Sequence, residues 1–231
     1  MPRTLFLHSW GSSHHDWDLV ADAFPNGVFP DLRGYGDTPA PDESYSVASY
    51  VNNIARMVEG WDDYTIVGHS MGGKYALAFA MRQPAGLRNL VLVAPSPPTP
   101  EPMSEEDRRE SLKGQGDRDA AEHTVAKVSK LPIPEPFRSQ AVDDYVRTSK
   151  RAWDDWLLAG SKEDISAGMN RIGVPVHVVV GTEDPVMHPE MLRREVVARL
   201  VDCTFETVEG AGHLLPLEKP IELSRILKQH L

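Results

Sequence analysis

The 231-residue sequence has only one cysteine, Cys203. A lone cysteine forms no internal disulfide, so a reducing, cytoplasmic compartment fits. Its stretch, "DCTFETV", reads as a strand, which makes a plain buried thiol the expectation rather than a catalytic one. Long apolar runs are also missing. No stretch approaches the ~20 residues of a membrane span. The opening "MPRTLFLHSW" lacks the apolar segment and cleavage site of a signal peptide. Positive charge is scarce. Lys and Arg number 24 against 34 Asp and Glu, a net charge of −10, and the bases lie scattered among acids. A phosphate backbone would be repelled on average, so nucleic acid is not an expected partner. The nucleotide-cradling strings G-x-G-x-x-G and Walker A do not occur, and no internal repeat is found.

What is present is an α/β pattern. The length suits one large domain, or a domain carrying an insertion, and 41% hydrophobic residues supply a core. Residues 4–7, 27–30, 65–67, 90–93, 176–180 and 204–208 read as strands. "LVLV" and "VHVVV" are apolar on successive positions, as strands covered on both faces are. Between them, residues 46–61 and 189–200 space their apolar positions by three and four, as amphipathic helices do. The alternation predicts a doubly wound, mostly parallel sheet of about six strands.

One region breaks the alternation. "APSPPTPEPM" carries five prolines, and residues 104–168 are helical in pattern, charged and without a good strand. An excursion that long is not an ordinary loop. The expected organisation is a core of residues 1–95 and 169–231 with a helical cap, residues 96–168, inserted between two strands. In "RAWDDWLLAG", Trp153, Trp156 and Leu157 share a helical face. That face can pack the cap on the core, wall a substrate pocket, or do both.

The densest signal is "YTIVGHSMGGKYALAFA", residues 64–80: a strand, a turn and a helix, with Gly68, Gly72 and Gly73 crowded around Ser70. Glycine weakens strand and helix interiors by roughly 0.5–1 kcal/mol each, so three at one junction imply a backbone path that side chains would block. G-x-S-x-G between a strand and a helix is the nucleophile-elbow pattern. A serine hydroxyl needs a base to take its proton, and the base needs an acid to orient it. Loops after later strands offer both: "GTEDPVM" with Asp184, and "EGAGHLLPLEKP" with His213. Glu183 is the rival acid. The loop after the fourth strand, "APSPP", holds none.

Taken together, "LHSW", "PDLRGYGDT", "GHSMGG", "GTEDPV" and "GAGH" resemble the α/β-hydrolases along nearly the whole chain. "GHSMGGKYAL" is similar to small bacterial carboxylesterases of that superfamily. The resemblance implies the α/β-hydrolase fold, with Ser70 as nucleophile, His213 as base and Asp184 as orienting acid. It implies an oxyanion hole built from the backbone N–H groups of Met71 and Trp10, and a pocket lined by Trp10, Met71, Trp153, Trp156, Met187 and Leu214. Two departures stand out. The first strand starts by about Arg3, leaving no room for the usual leading antiparallel pair, and the first loop reads His8-Ser9-Trp10-Gly11 instead of beginning His-Gly.

Other residues carry plainer expectations. "HHDWD", with His14, His15, Asp16 and Asp18, does not reproduce a metal-ligand spacing, and His14 and His15 are expected at the surface. His69 is expected to pack beneath the turn and Lys74 to be structural. No metal and no cofactor is expected. The expected function is serine-dependent cleavage of a small or medium carboxylic ester. The same triad acting on a C–C bond, lactone or amide is the alternative. A small-molecule receptor on a hydrolase fold is a further one. A dehalogenase is disfavoured, because its attacking aspartate would stand where Ser70 does.

Overall fold

Six parallel strands form one sheet in the order β2-β1-β3-β4-β5-β6. They are β1 (Arg3–Leu7), β2 (Gly27–Val28), β3 (Tyr64–His69), β4 (Leu87–Val93), β5 (Val176–Gly181) and β6 (Cys203–Val208). The computed structural model describes residues 3–42 and 44–231. Each strand contains an expected segment and extends it by a residue or a few, except β2, which ends at Val28 instead of reaching residue 30.

Every neighbouring pair is parallel, so each connection must cross over a face of the sheet. Helices cover both faces, which is why successive strand residues are apolar. Leu5, Leu7, Ile66, Leu90, Leu92 and Val178 point to one side, where α2 (Val47–Met57) and α3 (Met71–Ala80) pack. Phe6, Val67, Val91, Val93 and Val179 point to the other, against α1 (Asp18–Ala21) and α10 (Pro220–His230). The chain winds from β1 outward to β2, then returns to β3 and proceeds the other way. In such sheets the crevice at the carboxyl ends, where the winding reverses, is the binding position.

Local signals set most helix boundaries. Ser46 caps α2 by accepting the N–H of Ser49 at 3.3 Å. One expectation needs correction. Residues 189–200 do not form one helix: α8 (Pro189–Glu195) stops, and a separate 3₁₀ turn follows at Val197–Arg199. The buried, β-branched Val196 adopts φ −111°, ψ −64° between them, off the helical path.

Between β4 and β5 lie α4 (Glu105–Lys113), α5 (Arg118–Val128), α6 (Phe137–Arg147) and α7 (Lys150–Leu158), followed by 3₁₀ turns at Gly160–Lys162 and Ser166–Arg171. Trp153, Trp156 and Leu157 on α7 are buried and join the main apolar cluster. Ala121, Val125 and Val142 of α5 and α6 make a smaller cluster with Leu214 and Leu217. No helix is long and apolar enough to cross a membrane among the described residues.

The start of α3 is pressed against β1. A Cβ on Gly72 would meet the Leu7 and His8 carbonyl oxygens at 2.6 and 2.7 Å, and one on Gly68 would meet the Gly72 oxygen at 2.6 Å. These are backbone atoms, which cannot rotate away. Gly72→Ala is therefore expected to cost about 1–3 kcal/mol, the range for overpacking a closed interior. Urea denaturation of the two proteins measures it, and an unchanged midpoint would contradict the packing.

Candidate active site

Ser70 stands at the carboxyl end of β3 with φ 49° and ψ −114°. A positive φ is costly for a residue with a Cβ and persists only where the surroundings enforce it. Here the Ser70 N–H donates to the Val93 carbonyl at 3.0 Å, and the Ser70 carbonyl accepts from Gly73 at 2.9 Å and Ser96 at 2.9 Å. Gly68, Gly72 and Gly73 give the clearance for that path.

The structure brings the three residues from β3, the β5 loop and the β6 loop together. His213 Nε2 lies 3.0 Å from Ser70 Oγ, and His213 Nδ1 lies 2.8 Å from Asp184 Oδ2. Asp184 Oδ1 accepts the N–H groups of Val186 at 2.7 Å and Met187 at 2.8 Å, which fixes the carboxylate plane. Glu183, the rival acid, is exposed and makes no such bond.

Burial shapes the charges. It pushes the Asp184 carboxyl up, but His213 and the two N–H donors outweigh it and hold the pKa below the usual carboxylate value. It pushes His213 down, but the Asp184 carboxylate outweighs it and holds the imidazole above 6.5. The stability signs follow from those directions. The Asp184 contribution is present above the ordinary carboxylate pKa and lost as pH falls through its lowered folded value. The His213 contribution is present below 6.5 and lost as pH rises through its raised folded value.

Sequence reasoning missed the supports around the pair. Asp16, fully buried, accepts the Ser9 N–H at 2.9 Å and bonds His69 Nδ1 at 2.7 Å, while His69 Nε2 bonds the His213 carbonyl at 2.9 Å. His69 does lie beneath the turn as expected, but it also joins the first loop to the histidine loop. Burial raises the Asp16 carboxyl, yet His69 and the Ser9 N–H outweigh it and hold it low. Glu218 takes four backbone N–H groups: Lys130 at 2.8 Å, Leu131 at 2.9 Å, Gly212 at 2.9 Å and Leu214 at 3.0 Å. The His213 N–H itself donates to Val128 at 2.9 Å. The loop carrying His213 is thus stitched to the end of α5. In hindsight the acid in "HHDWD" and the one closing "GHLLPLE" were the only hints.

His14 and His15 are half-buried rather than at the surface. Each faces a carboxylate, Asp31 at 2.8 Å and Asp144 at 3.2 Å. Asp144, on α6, also accepts from Ser13 Oγ at 2.6 Å, tying that helix to the first loop. Lys74 is buried and points to the Thr99 carbonyl at 3.4 Å. Burial lowers its pKa to about 8, partly offset by Glu101. Cys203 is half-buried and distant from this cluster in the fold. Burial and Asp202 raise its thiol to about 11, so it is not a thiolate at neutral pH.

A cavity of about 420 Å³ opens above Ser70 and His213. Trp10, Trp153, Trp156, Met187 and Leu214 line it. Met71 does not. Its side chain is fully buried below the turn, with the thioether accepting the Tyr35 hydroxyl at 3.3 Å. The reason is geometric: the first residue of α3 turns its side chain toward the core while its N–H stays at the helix end. As an N1 position, that N–H has no partner within the helix. The Trp10 N–H likewise donates to no acceptor among the described residues. Glu101, which the sequence reading did not single out, also lines the cavity, and burial raises its carboxyl pKa.

Residues 4–226 match the alpha/beta hydrolase family, and the chain belongs to it. It is 27% identical to a pimeloyl-[acyl-carrier protein] methyl ester esterase of Neisseria meningitidis, over 91% of this chain and 85% of that one. It is 22% identical to a 2-succinyl-6-hydroxy-2,4-cyclohexadiene-1-carboxylate synthase of Klebsiella pneumoniae, over 99% of this chain and 93% of that one. The solved esterase of Exiguobacterium antarcticum superposes with a TM-score of 0.90 at 19% identity, covering 99% of this chain and 91% of that one. The family and the esterase relative support a hydrolase. The superposition supports the fold.

Two measurements test the geometry. NMR titration of the His213 ring is expected to give a pKa above 6.5 that drops in Asp184→Asn, and equal values in both would contradict the electrostatic coupling. Glu218→Ala leaves four N–H donors without their charged acceptor and is expected to cost about 2–4 kcal/mol in urea unfolding. An unchanged stability would contradict the stitching.

Proposed function

We propose that the chain is a serine esterase that cleaves small or medium carboxylic esters through an acyl-enzyme on Ser70. The observation that carries this reading is the unbroken Ser70–His213–Asp184 chain, at 3.0 and 2.8 Å, on the floor of an apolar cavity. Ser70 Oγ attacks the ester carbonyl carbon while His213 Nε2 takes its proton. Asp184 keeps the Nδ1 proton in place and stabilises the imidazolium. The carbonyl oxygen, now negative, sits against the N–H groups of Met71 and Trp10, which have no other acceptor among the described residues. His213 then returns its proton to the leaving alkoxide. Water, deprotonated by His213, attacks the acyl carbon and frees Ser70.

Residues 96–168 act as the cap in this reading, with Trp153 and Trp156 as the wall facing Trp10. The rings of Trp10 and Trp153 stand 4.0 Å apart, a surface suited to apolar acyl groups. The substrate is a small molecule, and the chain works in the cytoplasm, where its lone cysteine stays reduced. A second reading keeps the triad and changes the bond, to a C–C bond, lactone or amide. The relative named as a synthase favours keeping it open, since fold does not fix chemistry. A receptor role would instead leave tight ligand binding intact in Ser70→Ala.

Hydrolysis of p-nitrophenyl esters of increasing acyl length tests the proposal. Wild type is expected to turn them over with an optimum at short or medium chains, and Ser70→Ala to lose at least ~1000-fold in kcat. The acid limb of kcat/KM is expected above pH 6.5, because His213 must lose its proton to act as base and its pKa is raised. Folded wild type without turnover would overturn the ester reading and direct the search to the other bonds.

A further inference from the structure

His177, Glu206 and His230 come from three separate elements: the second residue of β5, the fourth of β6 and the last of α10. No sequence spacing links them, which is why the sequence reading expected no metal. In the fold, one ligand-capable atom from each lies within 4.8 Å of the other two. His177 Nε2 and Glu206 Oε2 are 3.8 Å apart, a few tenths of an ångström beyond the ~3.4 Å separating tetrahedral donors that bind zinc at 2.0–2.1 Å.

The decisive atom is His177 Nε2. The residue is only 5% exposed, and this nitrogen is buried without a hydrogen-bond partner among the described residues. Buried polar atoms almost always have one. The opposite ring nitrogen, Nδ1, is fixed by Thr204 Oγ1 at 2.6 Å, across the β5–β6 ladder where the two residues pair. In the tautomer whose Nδ1–H donates to that hydroxyl, Nε2 keeps a free lone pair, 3.8 Å from Glu206 Oε2. A hydrogen bond of this kind, on the ring nitrogen that faces away from the metal, sets the tautomer of metal-binding histidines.

We propose that His177, Glu206 and His230 bind one divalent transition-metal ion of the Zn²⁺ type, pinning the end of α10 to the β5–β6 edge of the sheet. The two imidazoles suit such ions, whereas Mg²⁺ prefers an all-oxygen set of carboxylates and waters. His230 and His177 stack at 3.7 Å with their planes 14° apart, which sets their lone pairs side by side. Binding therefore requires the His230 ring to turn, which its partly exposed position permits. Arg225 holds the other Glu206 oxygen at 3.4 Å and stays outside the ligand set. The site is distinct from the candidate active site. From His177 to the end of β5 the strand alone rises ~13 Å before the Asp184 loop begins. The ion would brace the fold and take no part in the ester chemistry.

The test is the thermal midpoint and calorimetric titration of the full chain with ZnCl₂, against His230→Ala, Glu206→Gln and Thr204→Val. Wild type is expected to bind one Zn²⁺ saturably, with a midpoint that climbs as Zn²⁺ is added, and to ignore MgCl₂. His230→Ala and Glu206→Gln, both at partly exposed positions, are expected to fold normally and lose this response. Thr204→Val is expected to bind roughly 10-fold more weakly, because the His177 ring loses the hydroxyl that orients it. Absence of a Zn²⁺ response in wild type, or an equal response in His230→Ala and Glu206→Gln, would overturn the proposal.

Discussion

The backbone of Ser70, at φ 49° and ψ −114°, is the constraint on which the rest depends. A residue with a Cβ adopts that conformation only under compulsion. The compulsion comes from β4, whose Val93 carbonyl takes the Ser70 N–H, and from Gly73 and Ser96, which hold its carbonyl. The clearance comes from Gly68 and Gly72, whose missing Cβ atoms would collide with backbone. The strained turn lifts one hydroxyl above the sheet and at the same time starts α3 close enough to leave the Met71 N–H beside it.

Everything else in the site is arranged to meet that hydroxyl. His213 lies on a loop with no regular structure of its own, so its position has to be imposed. Glu218 gathers four N–H groups around the loop, the Val128 carbonyl accepts the His213 N–H, and His69 Nε2 donates to the His213 carbonyl. Through Asp16, His69 also reaches the Ser9 N–H of the loop that offers the Trp10 N–H. One buried carboxylate therefore couples the His213 loop to the proposed oxyanion donors. Asp144 on α6 extends the same network into the helices above, through Ser13 and His15.

Much of this was legible in the sequence, and the limits have physical causes. Ser70 was readable because its needs are local: the glycines that permit the turn are its chain neighbours. Asp184 and His213 were readable because a parallel sheet delivers loop residues to one edge. The central strands showed as short apolar runs because both faces of the sheet are covered there, whereas the edge strands β2 and β6 are partly exposed. Asp16, Glu218 and Glu101 were not readable as site residues. Their roles arise where segments far apart in the chain meet, and a solitary acid in a loop carries no pattern. The inward turn of the Met71 side chain and the break of α8 at Val196 depend on packing that periodicity does not describe. His177, Glu206 and His230 converge for the same reason, across two strands and a helix.

The central claim is that Ser70 is the nucleophile and His213 its base. The most direct measurement is intact and peptide mass spectrometry after reaction with a fluorophosphonate, in which the attacking oxygen displaces fluoride and keeps the phosphonyl group. The account predicts one adduct per chain, located on the peptide containing Ser70, formed far more slowly in His213→Ala. An adduct on another residue, or none on folded protein, would contradict it.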